Sequence, residues 1–275
     1  MTALLYHHNQ PKSTIMRKGI VIPCYNEELR LQQASFLEFV EHHQEYLLCF
    51  VNDGSTDGTL RVLESMQSSQ PERIMILDLS QNSGKAEAVR RGMLHMVSGT
   101  SVQSVAFMDA DLSTGFDDMR RLMDYQQEHG KHVVVGSRKM GGPQQVRRSL
   151  FRRTASLAVG MFIRAIIGMP VRDTQCGAKV FSRSIVTEVF SEPFLSRWLF
   201  DMEVFIRMRN LYGQSVMDVV SELGLMSWEE VEGSKISWND SVRFPMRLAE
   251  IAYDYKVRRV LAQMGGSPLL RRTAV

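Results

Sequence analysis

The chain has 275 residues, of which 44% are hydrophobic and 23% are charged. This composition is typical of a globular protein and excludes a disordered, collagenous or wholly membrane-embedded chain. The formal net charge is only +3, but residues 138–183 contain ten Lys or Arg residues and one acid, Asp173, a local balance of +9. Such a basic segment favours an anionic partner.

Along the first half of the chain, β-rich runs alternate with amphipathic helical patterns. In chain order, strands are predicted at residues 19–23, 46–52, 74–79, 102–108 and 132–136, and helices between them at residues 28–43, 59–67, 85–97 and 116–128. This alternation predicts an α/β fold with a mostly parallel sheet and helices on both faces. Ligands bind such sheets beyond the carboxyl ends of the strands, so the polar residues that follow the strands are candidate site residues.

The first two predicted strands both end in polar segments, residues 23–27 and 52–59. A positive φ at a glycine and a helix cap at Ser55 or Asp57 explain most of the second segment. Neither explanation gives Asp53 a structural role. Its carboxylate can accept hydrogen bonds from a nucleobase or a ribose, beside the ring of Tyr25.

Asn82, Ser83, Gly84 and Lys85 follow the third predicted strand. A glycine and a lysine at a helix start suit an anionic group near the amino end of the helix, although the pattern is not a Walker motif. The alternative is a lysine in a solvent-exposed loop.

The fourth predicted strand runs directly into Asp109, Ala110 and Asp111. Residues two apart in an extended chain point the same way, so both carboxylates share one face. A divalent cation relieves their repulsion, and hard oxygen ligands without nearby His or Cys favour Mg²⁺ or Mn²⁺ over zinc. A turn cap before the next helix would explain Asp111 alone.

Eight segments in order resemble a known family. Five resemble the GT-A fold of glycosyltransferase family 2: PCYNE (23–27), VNDGSTDGT (51–59), NSGK (82–85), DAD (109–111) and GSR (136–138). Three more resemble the branch of dolichyl-phosphate β-glucosyltransferases and bacterial polyprenyl-phosphate relatives: RDTQCGAKVF (172–181), RWLFDMEV (197–204) and EGSK (232–235). At Ala178 the branch usually has an aromatic residue.

The resemblance implies a Rossmann-like GT-A domain, which we place at residues 14–240, before an amphipathic basic tail at residues 241–275. It implies a metal-dependent, inverting transfer of a sugar, glucose favoured, from a nucleoside-diphosphate sugar to a polyprenyl or dolichyl phosphate. The favoured donor is UDP-glucose, with GDP-mannose as the alternative, and the implied cofactor is Mg²⁺ or Mn²⁺.

The resemblance also assigns roles to individual residues. The nucleoside would be held by Pro23, Tyr25, Glu27 and Asp53. Lys85 would lie near the base or the diphosphate, and Asp109 with Asp111 would hold the ribose and the metal-bound diphosphate. Arg138 would approach a phosphate group. The donor sugar would lie beside Gln175 and the turn at residues 176–177, and the acceptor beside Trp198, Asp201, Glu203 and Lys235.

The acceptor decides whether a general base is needed. A lipid phosphate is already an anion near neutral pH, because the second pKa of a phosphate monoester is about 6. A hydroxyl acceptor needs a carboxylate to take its proton, and Asp201 and Glu203 are the candidates. Both could instead be exposed helix residues.

Basic residues beside apolar segments suggest an anionic membrane surface as a partner. Arg147, Arg148, Arg152 and Arg153 precede the apolar residues 155–167, and the tail repeats this mixture. The alternative is that the first segment is a buried helix and that the tail packs on the domain or on another subunit.

Other functional classes are less favoured. No basic aromatic strand or helix-turn-helix pattern accompanies the arginines, so we expect no nucleic-acid partner. A nucleotidyltransferase and a sugar-nucleotide-binding protein without turnover remain as alternatives. The three widely spaced cysteines and the lack of a signal peptide favour the cytoplasm, and the longest apolar stretch is too short to span a bilayer. We therefore expect a cytoplasmic protein, peripheral on the cytoplasmic membrane face where it meets a membrane.

Overall fold

The structure, a computed structural model, describes residues 17–140, 163–228 and 246–256. Within them, seven strands form one sheet in the order β3-β2-β1-β4-β6-β5-β7. The strands are β1 (Lys18–Cys24), β2 (Tyr46–Asp53), β3 (Ile74–Leu79), β4 (Ser104–Phe107), β5 (Val133–Ser137), β6 (Lys179–Ser182) and β7 (Val220–Gly224).

Helices cover both faces of the sheet. They are α1 (Gln33–His42), α2 (Thr59–Ser69), α3 (Lys85–Gly99), α4 (Phe116–Glu128), α5 (Arg183–Phe190), α6 (Phe200–Tyr212) and the short α7 (Val216–Val219). Residues 163–167 and 246–256 are also helical. The predicted α/β fold with a mostly parallel sheet is confirmed.

Strand direction determines where the site lies. β6 runs antiparallel to β4 and β5, whereas the other neighbouring strands pair in parallel. The carboxyl ends of the parallel strands therefore meet at one edge of the sheet, and β6 begins at that same edge. The polar segments predicted to form a site all follow strands at this edge.

The core consists of two hydrophobic clusters, one on each face of the sheet. One face carries α3, α5 and α6, and the other carries α1, α2 and α4. β2 is buried along its whole length, as expected for a strand covered on both sides. Apolar residues at helical spacing, such as Val89, Met93 and Met96 of α3, supply the contacts to the sheet.

The first helix is shorter than predicted. Its predicted start was residue 28, but α1 begins at Gln33, because the preceding residues form a loop. In that loop the amides of Arg30 and Leu31 donate to the carbonyl of Glu27 at 3.0 and 2.9 Å. β6, β7, α5 and α7 were not predicted, and a helix at α6 was considered only as the alternative for Asp201 and Glu203.

The apolar segments proposed to meet a membrane pack on the domain through part of their described residues, whereas Met246 and Tyr253 are exposed. Ile163 and Ile167 lie in the core, and so do Leu248, Ile251 and Tyr255 of the helical residues 246–256. For these residues the alternative of packing on the domain is the one observed. Among the described residues, no helix has the length and apolar character needed to cross a membrane.

We expect Gly92→Ala to destabilise the protein, because α3 approaches the sheet closely at this position. A Cβ there would overlap Val21 Cγ1 and would lie 2.7 Å from Val51 Cγ2. Overpacking of this kind costs about 1–3 kcal/mol. Gly99→Ala in the same helix is the control, because its nearest neighbour would be 4.0 Å away. Urea unfolding measures both, and equal stabilities would contradict the close packing.

Candidate active site

The loops after β1 and β2 form one wall of the site, which we call the β1–β2 lip (residues 23–30 and 53–59). Each loop supplies hydrogen-bond partners to the other. Ser55 Oγ accepts the Asn26 amide at 3.0 Å, and Asn26 Oδ1 accepts the Thr56 amide at 2.9 Å. Asn26 has a φ of 51°, in the left-handed region that Asn tolerates. These crossed bonds fix the lip before any ligand binds.

Four residues predicted to hold a nucleoside lie in this lip, three of them in its first segment. Pro23 pairs with the second strand near the end of β1, Tyr25 is half-buried, and the Glu27 carboxylate lies 3.8 Å from Arg30 Nε. Asp57 has the structural role expected of it, because its Oδ1 accepts the amide that begins α2 at 3.0 Å. The nucleoside contacts of the three residues stay a prediction.

Asp53 has a structural role that the sequence did not indicate. Its two oxygens accept the amides of Ser83 and Gly84 at 2.7 and 2.8 Å, and the residue is 2% exposed. Burial raises the pKa of the Asp53 carboxyl, and the two amides offset part of that rise. Asp53 therefore fixes the loop that leads into Lys85, and its predicted role toward a nucleoside remains untested.

Asp109 and Asp111 lie at the edge of the sheet beside two cations. Lys85, the first residue of α3, forms an ion pair with Asp109, and Arg30 Nη2 lies 4.0 Å from Asp111 Oδ2. Burial disfavours the charged form of Lys85, but the charges of Asp109 and Asp201 outweigh it and raise the Lys85 pKa. The two carboxylates keep 33% and 27% of their side chains exposed, so a ligand can reach them.

The turn at residues 175–177 lies against this acidic pair. A Cβ on Gly177 would overlap the Asp109 carboxylate, so only glycine permits the approach. Gln175 Nε2 is buried and has no hydrogen-bond partner among the described residues. Burial raises the pKa of the Cys176 thiol to about 11, which keeps it protonated near neutral pH. Ala178 is fully buried in the core, so its small size matters for packing there.

Arg138 is held by Asp173, a partner that the sequence did not indicate. The pair is bidentate, with Nε and Nη2 each 2.8 Å from a carboxylate oxygen, and the Arg138 amide donates to Asp173 Oδ2 at 3.0 Å. Burial acts to raise the Asp173 pKa, but the bonds and charge of Arg138 outweigh it and hold that pKa below its usual value. The guanidinium also lies 5.4 Å from the ring centroid of Trp228. The predicted phosphate contact of Arg138 stays a prediction.

The two candidate bases on α6 occupy different environments. Asp201 is 6% exposed, and its Oδ1 accepts a hydrogen bond from Lys179 at 2.5 Å. Glu203 is fully buried and accepts the amides of residues 195–196 and the Tyr255 hydroxyl, each at 2.9 Å. The predicted acceptor-facing position of Glu203 is therefore corrected, because its carboxylate is occupied inside the protein. Neither residue is an exposed helix residue.

Arg197 is a site residue that the sequence analysis did not single out. Its Nε donates to the carbonyl of Ser83 at 3.2 Å and its Nη2 to the carbonyl of Asn82 at 3.1 Å. Its own carbonyl accepts the Ala86 amide at 3.2 Å. The loop before Lys85 is thus held by Arg197 as well as by Asp53. The neighbouring Trp198, predicted on the acceptor side, is 41% exposed.

The remaining residues predicted to meet the acceptor or a membrane lie outside the described residues. They are Arg147, Arg148, Arg152, Arg153 and Lys235.

Comparisons with known proteins agree with this arrangement. A family model described as glycosyl transferase family 2 matches residues 19–190. A dolichyl-phosphate β-glucosyltransferase of Dictyostelium discoideum is 28% identical over 252 residues, covering 86% of this chain and 74% of that protein. Dolichyl-phosphate β-glucosyltransferase ALG5D of Trichomonas vaginalis is 30% identical over 274 residues, covering 91% and 79%.

A solved structure shows the same fold. Glucosyl-3-phosphoglycerate synthase from Mycobacterium tuberculosis, in complex with Mn²⁺, UDP-glucose and phosphoglyceric acid, superposes with a TM-score of 0.58 at 17% identity. The match covers 94% of this chain and 87% of that one. The GT-A form of the predicted α/β fold is thereby confirmed.

We expect Asp53→Ala to weaken UDP binding more than Ser55→Ala does. Asp53→Ala leaves the amides of Ser83 and Gly84 without acceptors, at about 1–3 kcal/mol for the buried Gly84 amide, and releases the loop before Lys85. Ser55→Ala removes a single acceptor in a half-buried lip. Calorimetry with UDP tests the difference in affinity, and urea unfolding tests the difference in stability. Equal UDP affinity of the two variants would contradict the role given to Asp53.

Proposed function

Since the chain belongs to glycosyltransferase family 2 and is a glycosyltransferase, we propose that it transfers glucose from UDP-glucose to a polyprenyl phosphate. Its relatives over most of the chain are named dolichyl-phosphate β-glucosyltransferases, which supports the acceptor. The structural neighbour holding UDP-glucose and Mn²⁺ supports the donor and a divalent cation. The reaction is a single displacement that inverts the anomeric centre.

Asp109 and Asp111 fit a divalent cation. They offer hard oxygen ligands, they are part-exposed, and each lies beside a cation that balances its charge. No cluster of three or more His, Cys, Asp or Glu is found among the described residues, so the donor diphosphate would supply further oxygens. When bound, Mg²⁺ or Mn²⁺ would offset the negative charge that builds on the leaving diphosphate.

Basic side chains of the protein would stabilise the same negative charge on the leaving diphosphate. Lys85 begins α3 at the sheet edge and contacts Asp109, so it lies where the diphosphate would approach that carboxylate. Asp53 and Arg197 hold the loop before Lys85 in place. Because this loop is already ordered, less conformational entropy is lost when the donor binds. The β1–β2 lip, with Tyr25 and Asp53, would take the nucleoside.

The hydrogen bonds and burial of the two α6 carboxylates, Asp201 and Glu203, decide which acceptor we propose. Glu203 is fully buried with three donors on it, and Asp201 is bound to Lys179. Neither is a free carboxylate of the kind that takes a proton from a hydroxyl. A phosphate acceptor needs no such base, because it is already anionic near neutral pH. The observation therefore supports a phosphate acceptor, and the names of the relatives support a lipid phosphate. In this proposal the acceptor lies at the cytoplasmic face of an anionic membrane, the kind of partner that the basic residues 138–183 favour.

We expect Asp111→Asn to lower UDP release from UDP-glucose by about a hundredfold or more, because the variant weakens charge stabilisation at the leaving diphosphate. Asp111 makes one local hydrogen bond, from the Ser113 amide at 3.0 Å, so the melting temperature in metal-free buffer should change little. Asp117→Asn is the control, because that side chain is 96% exposed on α4. Full activity of Asp111→Asn, or of the wild type in excess chelator, would refute the metal assignment.

The acceptor is tested with a panel read by product mass. Wild-type protein with Mg²⁺ or Mn²⁺ receives UDP-glucose or GDP-mannose, and either a short polyprenyl phosphate or the matching polyprenol. We expect glucosylation of the phosphate and none of the alcohol. Glu203→Gln should keep activity within about tenfold of wild type, whereas loss of a general base costs about 10²–10⁴. Transfer to the alcohol, with a larger loss in Glu203→Gln, would overturn the proposal.

A further inference from the structure

A fully buried lysine lies beneath the site. Lys179 is the first residue of β6 and has no exposed surface. Since β6 is antiparallel, this residue lies at the edge where the parallel strands end. It pairs in register with Phe107, two residues before Asp109. A buried ammonium is costly unless it is paired and hydrogen-bonded, so its partners matter.

Two oxygens from separate parts of the chain bind this ammonium. Lys179 Nζ donates to Asp201 Oδ1 at 2.5 Å and to the carbonyl of Cys176 at 2.6 Å. The rings of Phe107 and Phe205 lie 5.5 and 5.9 Å from it and keep the surroundings apolar. In such surroundings each bond is strong, and an unpaired partner is costly.

Both partners, Cys176 and Asp201, lie near the residues at the carboxyl edge of the sheet. Cys176 belongs to the turn whose Gly177 lies against the Asp109 carboxylate. Asp201 lies close enough to Lys85 and Arg138 to act on both electrostatically. One buried ammonium therefore connects a carboxylate of α6 to the turn that touches the acidic pair.

We propose that Lys179 is a positioning residue, which sets Asp201 and the turn at residues 175–177 in one geometry relative to Asp109. It contacts neither substrate, and it acts on the transfer step through these two neighbours. This inference rests on the proposed function, because it assumes that the sugar is transferred at the site containing Asp109.

Three variants test this role: Lys179→Met, Asp201→Asn and the double variant. Each is assayed for UDP release from UDP-glucose, and UDP affinity is measured by calorimetry. Misplacing groups that orient a site costs about 10–100-fold in activity, so Lys179→Met should lose about tenfold or more in kcat. UDP affinity and the KM for UDP-glucose should stay within about twofold, because Lys179 has no hydrogen bond to the β1–β2 lip within the described residues.

The chain offers a matched control in Lys18. This lysine is also on a strand, is 8% exposed and is paired with Asp124 at 2.5 Å, but it lies at the opposite edge of the sheet. Lys18→Met should lower the melting temperature and leave kcat unchanged. If Lys179 were only structural, the two methionine variants would behave alike. Equal kcat values for both would overturn the proposal.

The double variant separates coupling from simple damage. If Lys179 acts through Asp201, the kcat of the double variant should lie close to that of the more impaired single variant. Losses that multiply would overturn the proposal. Should Lys179→Met fail to fold, the double variant decides, because it removes both buried charges and leaves none uncompensated. Its kcat should then lie about tenfold or more below that of Lys18→Met, on the order of 1.4 kcal/mol, and a kcat equal to that of Lys18→Met would refute the role.

Failure of the proposed acceptor remains distinguishable from failure of this inference. UDP release is measured both with and without polyprenyl phosphate. If wild-type protein hydrolyses UDP-glucose but makes no lipid product, the acceptor is wrong, and the comparison among the variants still stands.

Discussion

Carboxylates converge at the carboxyl edge of this sheet, and each one that leaves water requires compensation. An unpaired buried charge costs several kcal/mol in a domain whose whole stability is only about 5–15 kcal/mol. The chain meets this constraint with a dedicated partner for each buried acid. Asp53 has two backbone amides, Asp173 has Arg138, and Asp201 has Lys179. The positions of the surrounding loops follow from these pairs.

The same constraint separates structural acids from acids that are open to a ligand. Asp53, Asp173 and Glu203 are almost wholly buried, and their oxygens are occupied by donors from distant segments. Asp109 and Asp111 remain partly exposed, and each lies beside one cation, Lys85 or Arg30. A metal with its diphosphate can therefore reach these two carboxylates from solvent. Exposure, more than residue type, therefore identifies which acids can bind the donor.

Sequence patterns predict one half of the fold well and the other half poorly. β1 to β5 follow from apolar runs that end in polar residues and alternate with amphipathic helices. β6 runs antiparallel to both of its neighbours and leads directly into α5, so it does not fit that alternation. β7 has only two large apolar residues, Val220 and Leu223, and so lacks a clear apolar run. In the site, Asp109 and Asp111 could be predicted, because residues two apart in an extended chain share one face. Pairs such as Arg138 with Asp173 depend on contacts across 35 residues and have no local signature.

The helical residues 246–256 bear on how the site is supported, because they belong to its network of hydrogen bonds. Tyr255 donates to Glu203, whose carboxylate accepts the amides of residues 195–196. The next residue, Arg197, holds the loop that Asp53 also fixes and that leads into Lys85. If the tail served only to meet a membrane, its removal would not change the surroundings of Glu203. Here, removal would expose a buried carboxylate whose pKa burial already raises, so the loop carrying Arg197 would lose part of its anchor. The helical residues 246–256 and the loop before Lys85 are therefore linked through one buried glutamate.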